Sequence, residues 1–440
     1  MLLRDDLDNL VTGATRTGLE HYQHALRLLQ CYIGDPVAVV DAAIAESPSM
    51  VMAHALKAWL HLLGTESNGL PVARESLQTA LQLPANRREA GHLQAIGRVI
   101  EGRWHEAGRV LEDVAIECPN DALALQAGHQ IDFFTGNSRM LRDRIARALP
   151  AWSERMLGFH ALLGMHAFGL EETADYGRAE SEGRRAVELE PRDGWAQHAV
   201  AHVMEMQGRP TDGIAWMRTN PDAWTRDSFL CVHNWWHLAL FHLEVGQVDE
   251  VLALFDGPIY GKHSTVVLDM VDASALLWRL QLRGVDVGGR WTALADRWEP
   301  LAAAGNYAFN DAHAMMAFVG ADRRRAAASV LEAQAAAMDR DDDNAMFTRD
   351  VGRPVTLAIK AFGEGDYAEA VRRLRPIRNI ACRFGGSHAQ RDLLDLTLIE
   401  AAFRSNQSQL ASALVAERID AKPASPWARA LRDRPLSRAA

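Results

Sequence analysis

Apolar residues along this chain recur at helical spacing, in segments that stop at a proline or glycine and then resume. Prolines follow such segments at Pro48, Pro84, Pro119, Pro150, Pro191 and Pro221, with an average step of about 35 residues. The steps ending at Pro150 and Pro221 are short and the one between them is long, so the repeat is degenerate. Gly102, Gly136, Gly208 and Gly246 stand where a first helix should end, because glycine enters the left-handed conformation past a helix C-terminus without a Cβ clash. Helical text resumes after these stops, as in Trp104 to Glu117 and Val248 to Phe255. The stretch Asp175 to Pro191 puts Ala179 and Ala186 on one face and reads as the second helix of a unit. Alternating runs are short, and β-branched clusters such as Thr265 to Val267 stand alone. The pattern predicts an all-α fold, a degenerate solenoid of helical hairpins curled around a central cleft.

The period lies close to the roughly 34 residues of the tetratricopeptide repeat. A late unit places Gly365, Asp366, Tyr367, Ala370 and Pro376 in positions of that repeat. The expected organisation is a single repeat domain over residues 1–440. Tetratricopeptide-like repeats fill 16–260, a helical middle segment 261–337, and C-terminal helical repeats 355–421. Residues 338–354 read as a loop, and residues 422–440, with three prolines, as an irregular tail.

Composition narrows the partners. Hydrophobic residues at 48% and charged residues at 24% are ordinary globular values. A net charge of -10 argues against a nucleic-acid surface, which needs a basic patch to neutralise phosphates. No stretch approaches the roughly 20 apolar residues of a membrane span, and residues 1–9 carry acids rather than the apolar core of a secretory signal. Cys31, Cys118, Cys231 and Cys382 lie far apart, as reduced buried thiols do. The expectation is a cytoplasmic protein without nucleic-acid or membrane partners, with homo-oligomerisation left open.

The chemistry concentrates in the middle of the chain. His198, His202 and Glu205 are spaced i, i+4 and i+7, which stacks them on one helical face. When Gly208 is aligned with the glycine that closes a first helix of the repeat, Trp195, His198, His202 and Glu205 fall at groove-facing positions. In the next unit His233, Trp236 and His237 share a face, and His242, half a turn away, belongs elsewhere. First helices pack side by side in a solenoid, so the two histidine faces should be neighbours, with His166 from the preceding unit beside them. Asp269 and Asp272 are one turn apart, as are Asn310 and His313, while Asp311 points away. Gln390, Arg391 and Asp392 follow a Gly385-Gly386 pair at an expected helix start, where an arginine can clamp a carboxylate or phosphate.

Several of these words resemble one family. They are Gly164-Met-His-Ala-Phe-Gly-Leu-Glu-Glu172, Trp195-Ala-Gln-His-Ala-Val-Ala-His202, Val232-His-Asn-Trp-Trp-His-Leu-Ala-Leu-Phe241, Leu268-Asp-Met-Val-Asp-Ala273, Phe309-Asn-Asp-Ala-His313 and Gly385-Gly-Ser-His-Ala-Gln-Arg-Asp392. Together they are similar to the tetratricopeptide repeat protein 38 family, from about Thr15 to Ala402. His388 departs from it, standing where asparagine is expected in animal members. The resemblance implies a helical repeat fold and no settled reaction.

Two readings follow from the residues. In one, the chain is a small-molecule enzyme or binding protein with a His/Trp-lined pocket inside the solenoid. Hydrolase or lyase chemistry there is either cofactor-independent or assisted by a divalent metal. His198, His202, Glu205, His233 and His237 are its catalytic candidates, and His198 and His202 the candidate metal ligands. His166, Trp195, Trp236, Asp269, Asn310, His313 and Arg391 are its ligand-binding candidates. In the other, the array is a protein-interaction scaffold with no catalytic activity. The bland counterpart of both is that the histidines are hydrogen-bonded core residues that fix helix packing.

Overall fold

A computed structural model describes residues 3–434 of the chain. They fold almost entirely into helices, apart from one short antiparallel pair, Leu3–Arg4 with Leu10–Val11. The all-α helical-repeat fold is therefore as expected. The chain forms two compact units, residues 1–200 with 220–231, and residues 201–219 with 232–440. The division falls inside one continuous helix, Gly194–Met206.

The first unit is a run of helical hairpins. Arg16–Cys31 pairs with Pro36–Glu46, Val51–Leu62 with Gly69–Ala80, Arg87–Ile100 with Trp104–Glu117, and Phe159–Glu171 with Tyr176–Leu189. The two members of a hairpin differ in kind. First helices such as Ala122–Phe134 and Phe159–Glu171 bury nearly every side chain. Second helices bury a single stripe, Ala179, Gly183 and Ala186 in Tyr176–Leu189, as an amphipathic outer helix does. The four predicted stop glycines all adopt positive φ, with Gly208 at 65°, a conformation in which an L side chain is strained.

The second unit continues the scheme. Cys231–Glu244, Val267–Leu282, Ala308–Gly320, Arg353–Gly363 and His388–Arg404 are its largely buried first helices. Two expectations are corrected here. Residues 338–354 are not a loop: Asp342 caps a short helix, Asp343–Phe347, which runs through a wide turn into Arg353–Gly363. The tail is not irregular from residue 422, because Ser425 caps a helix over Pro426–Arg432. The last part of that expected tail, 435–440, lies outside the described residues.

Fully buried inner helices need their polar groups matched, and the first unit does so with aspartates that cap one helix while holding a histidine of the preceding repeat. Asp121 accepts from the Ala124 amide at 3.0 Å and from His92 Nε2 at 2.9 Å, and it pairs with Arg88 at 2.8 Å. Trp59 Nε1 donates to His92 Nδ1 at 3.3 Å, which fixes the tautomer. Asp193 repeats the motif, accepting from the Ala196 amide at 2.9 Å and from His160 Nδ1 at 2.7 Å. Burial alone would raise the Asp121 carboxyl, but His92 and Arg88 outweigh it and hold the group well below the usual carboxylate range.

Removing one partner of a buried charged network leaves the others uncompensated. Asp121→Ala should therefore lower unfolding stability by about 3–5 kcal/mol, read from urea denaturation of the full chain. A loss below about 1 kcal/mol would show that the tie carries no more than a surface pair.

Candidate functional site

The histidines of interest sit on inner helices, where little side chain reaches water. In the second unit His202 and His237 are fully buried. Their rings lie 4.5 Å apart between centroids, and His233 and His237 lie 4.9 Å apart. Each of the three offers a ring nitrogen within 4.8 Å of the others; His198 lies one turn before His202 on the same helix, in the first unit. The i, i+4 spacings at 198/202 and 233/237 produce this directly, since each pair stacks along one face of its helix.

His233 is the oriented member. Its Nδ1 donates to both oxygens of Asp272, at 3.0 and 2.9 Å, so the ring lone pair resides on Nε2. The ring also stacks on Trp236, 5.3 Å between centroids with 14° between planes. The Arg279 guanidinium lies 5.3 Å from the Trp236 ring centroid. His237 is held far below the ordinary imidazole range, first by burial and then by the neighbouring His202, His233 and Arg279. A buried ring in that state is neutral, the form that coordinates metals and accepts protons.

The other candidates divide into those near this group and those with separate roles. Trp236 flanks His233 as expected. Glu205 does not orient an imidazole: one turn on from His202, its carboxylate pairs with Lys422 Nζ at 3.1 Å. The carboxylate that orients His233 is Asp272; Asp269 lies one turn earlier, in the first turn of Val267–Leu282. His313 and Asn310 are buried on Ala308–Gly320. His313 Nδ1 donates to the Phe309 carbonyl at 2.8 Å, and burial pushes the ring down to about 4. Arg391 sits in the first turn of His388–Arg404 and donates to the Gly386 carbonyl. His242 is indeed apart, bonded to Gln247 at 2.6 Å.

In the first unit, Trp195 belongs to an aromatic wall. It stacks on Tyr32 at 5.7 Å and packs against Phe168 and His198 at 4.9 Å each. His166 is buried and bonded through Nδ1 to Glu182 at 2.5 Å, a tie within its own hairpin.

Sequence reasoning missed two partners. Asp272 was one of a pair, and helix phase alone did not say which carboxylate meets His233. Lys422 was assigned to the tail, and nothing local to it signals a partner 217 residues away.

No family model matches the chain. Among solved structures it is similar to a human IFIT1 dimer with m7Gppp-AAAA, at 15% identity and a TM-score of 0.41, covering 98% of this chain and 95% of that one. The human IFIT1 dimer with PPP-AAAA is similar at 14% identity and the same score, with coverages of 98% and 94%. The P58(IPK) TPR domain is similar at 15% identity and a TM-score of 0.22, with coverages of 89% and 99%. These are likenesses between helical chains, and the fold assignment rests on the helices themselves.

Asp311 supplies a pH-dependent test of burial on this face. Its Oδ2 is buried without a hydrogen-bond partner, and burial, outweighing a hydrogen bond from Gln334, raises its carboxyl to about 7. The native state therefore binds this proton up to about pH 7, whereas the unfolded chain releases it near the ordinary carboxylate value. Stability from this group falls as pH rises through that window. Asp311→Asn should stabilise the protein by roughly 1–3 kcal/mol at about pH 8, with the difference vanishing at about pH 3. Equal effects at both pH values in chemical denaturation would contradict a buried, neutralised carboxyl.

Proposed function

We propose that this chain is a metal-binding helical repeat protein of the tetratricopeptide repeat protein 38 type. In this reading it holds a divalent transition-metal ion through His202, His233 and His237 of the second unit. The ion serves a small-molecule ligand with hydrolase or lyase chemistry. The carrying observation is the set of ring nitrogens lying within 4.8 Å of one another, one of them oriented by a carboxylate on its other ring nitrogen. That second contact is the usual support of a metal-bound imidazole, because it fixes the tautomer and raises ligand basicity.

The donor chemistry supports the same reading. Neutral imidazoles suit zinc, copper, iron and nickel rather than calcium or magnesium. Ligand nitrogens around a tetrahedral ion stand about 3.3 Å apart at metal–nitrogen distances near 2.05 Å, a separation the rings reach by small rotations. Three protein ligands leave a position for water or ligand, whereas four close the ion off. The bound ion would act as a Lewis acid in the first arrangement. Asp272 holds the His233 ring, and Trp236 excludes water from one of its faces.

One observation favours a second reading, a purely structural role within an interaction scaffold. The first unit ties inner helices with the same aspartate–histidine bond at His92 and His160. What separates His233 from those ties is the company of other imidazoles, which the His92 tie replaces with Trp59 and Arg88.

Metal analysis of purified protein separates the two. About one equivalent of zinc, iron, copper or nickel is expected, and abolished in a His202→Ala/His237→Ala variant. Re-addition of that metal should stabilise the wild type by about 3–4 kcal/mol at 100 to 1,000 times its Kd. A folded wild type that neither carries nor takes up these ions would leave the scaffold reading standing.

A further inference from the structure

The second unit contains a polar concavity, lined by side chains outside the histidine cluster. It has a volume of about 310 Å³, within the range of small-metabolite sites. Lys422, Arg391 and Arg378 line it with the carboxylates of Asp392 and Asp395, together with the apolar Met206, Ile377 and Leu394. It opens at the start of His388–Arg404, a 17-residue helix whose amino-terminal amides favour negative charge.

The decisive side chain is Lys422. It is 9% exposed, and an ammonium is rarely withdrawn from water unless matched. Burial alone would lower its pKa, yet the Glu205 and Asp392 carboxylates outweigh that and hold it above the ordinary lysine value, so it is charged. An ammonium carries three donors. Among the described residues Glu205 is the one acceptor bonded to it, at 3.1 Å. The two lining carboxylates are already taken, Asp392 by Arg418 at 2.7 and 3.0 Å and Asp395 by Arg378 at 2.6 Å, which offsets the acids that would otherwise repel an anion here.

We propose that this cavity binds a small organic anion, its carboxylate or phosphate head received by Lys422 and Arg391 and its apolar remainder packed on Met206, Ile377 and Leu394. Lys422 supplies a buried point charge, and Arg391, held at the helix start by its bond to the Gly386 carbonyl, a second cation. The helix start adds dipole stabilisation. The pocket stands on its own residues and needs no metal, although Met206 and Glu205 lie on the helix that carries His202.

The test uses the full chain treated with chelator, so that failure of metal binding and failure of anion binding are read separately. Inorganic phosphate and butyrate are titrated calorimetrically at ionic strength matched with sodium chloride. Saturable binding of either supports the proposal, and which one saturates distinguishes a phosphate from a carboxylate ligand. Lys422→Met alone would strand the buried Glu205 carboxylate, so the variant is Glu205→Gln/Lys422→Met, accompanied by Arg391→Gln. Each should weaken the binding roughly tenfold or more. Absence of saturable binding by both anions, or an affinity unchanged in both variants, overturns it.

Discussion

The structure depends on matching polar groups along inner helices that are buried almost all the way round. A histidine on one inner helix reaches a carboxylate on the next, as His92 reaches Asp121 and His160 reaches Asp193. Where that carboxylate also caps its helix, one side chain closes a backbone terminus and joins two repeats. Leaving such a group unmatched costs more than the bond contributes, so the tie constrains which helices can be neighbours. The outer helices carry no such burden and bury only small-residue stripes, such as Ala179, Gly183 and Ala186.

The candidate site uses the same device for another end. His233 takes its carboxylate from Asp272, 39 positions away, on the next inner helix. There the resemblance to a structural tie stops, because His202 and His237 crowd the same ring. Burial and mutual repulsion keep His237 unprotonated. In the proposed reading a cation is the group that organises these rings.

Much of this was legible along the chain. Proline and glycine punctuation marked the hairpins because both residues end helices for local, sequence-readable reasons, and Gly102, Gly136, Gly208 and Gly246 all have the positive φ that reading requires. Helix phase placed His198 with His202 and His233 with His237, and set His242 and Asp311 apart. Phase could not choose between Asp269 and Asp272, since that depends on the offset between two helices. Nor could it assign Glu205, whose partner Lys422 arrives from the far end of the chain. The helix over Pro426–Arg432 was obscured by the prolines of the tail, although its own Pro426 occupies the first helical position, where proline is tolerated.

The most direct test of the central claim is an anomalous difference map from crystals of the metal-loaded protein, measured on either side of that metal's absorption edge. The account predicts one strong peak about 2.0–2.1 Å from ring nitrogens of His202, His233 and His237, with Asp272 still bonded to His233. A peak located elsewhere, or none with the metal in excess, would contradict it and leave these histidines as packing groups.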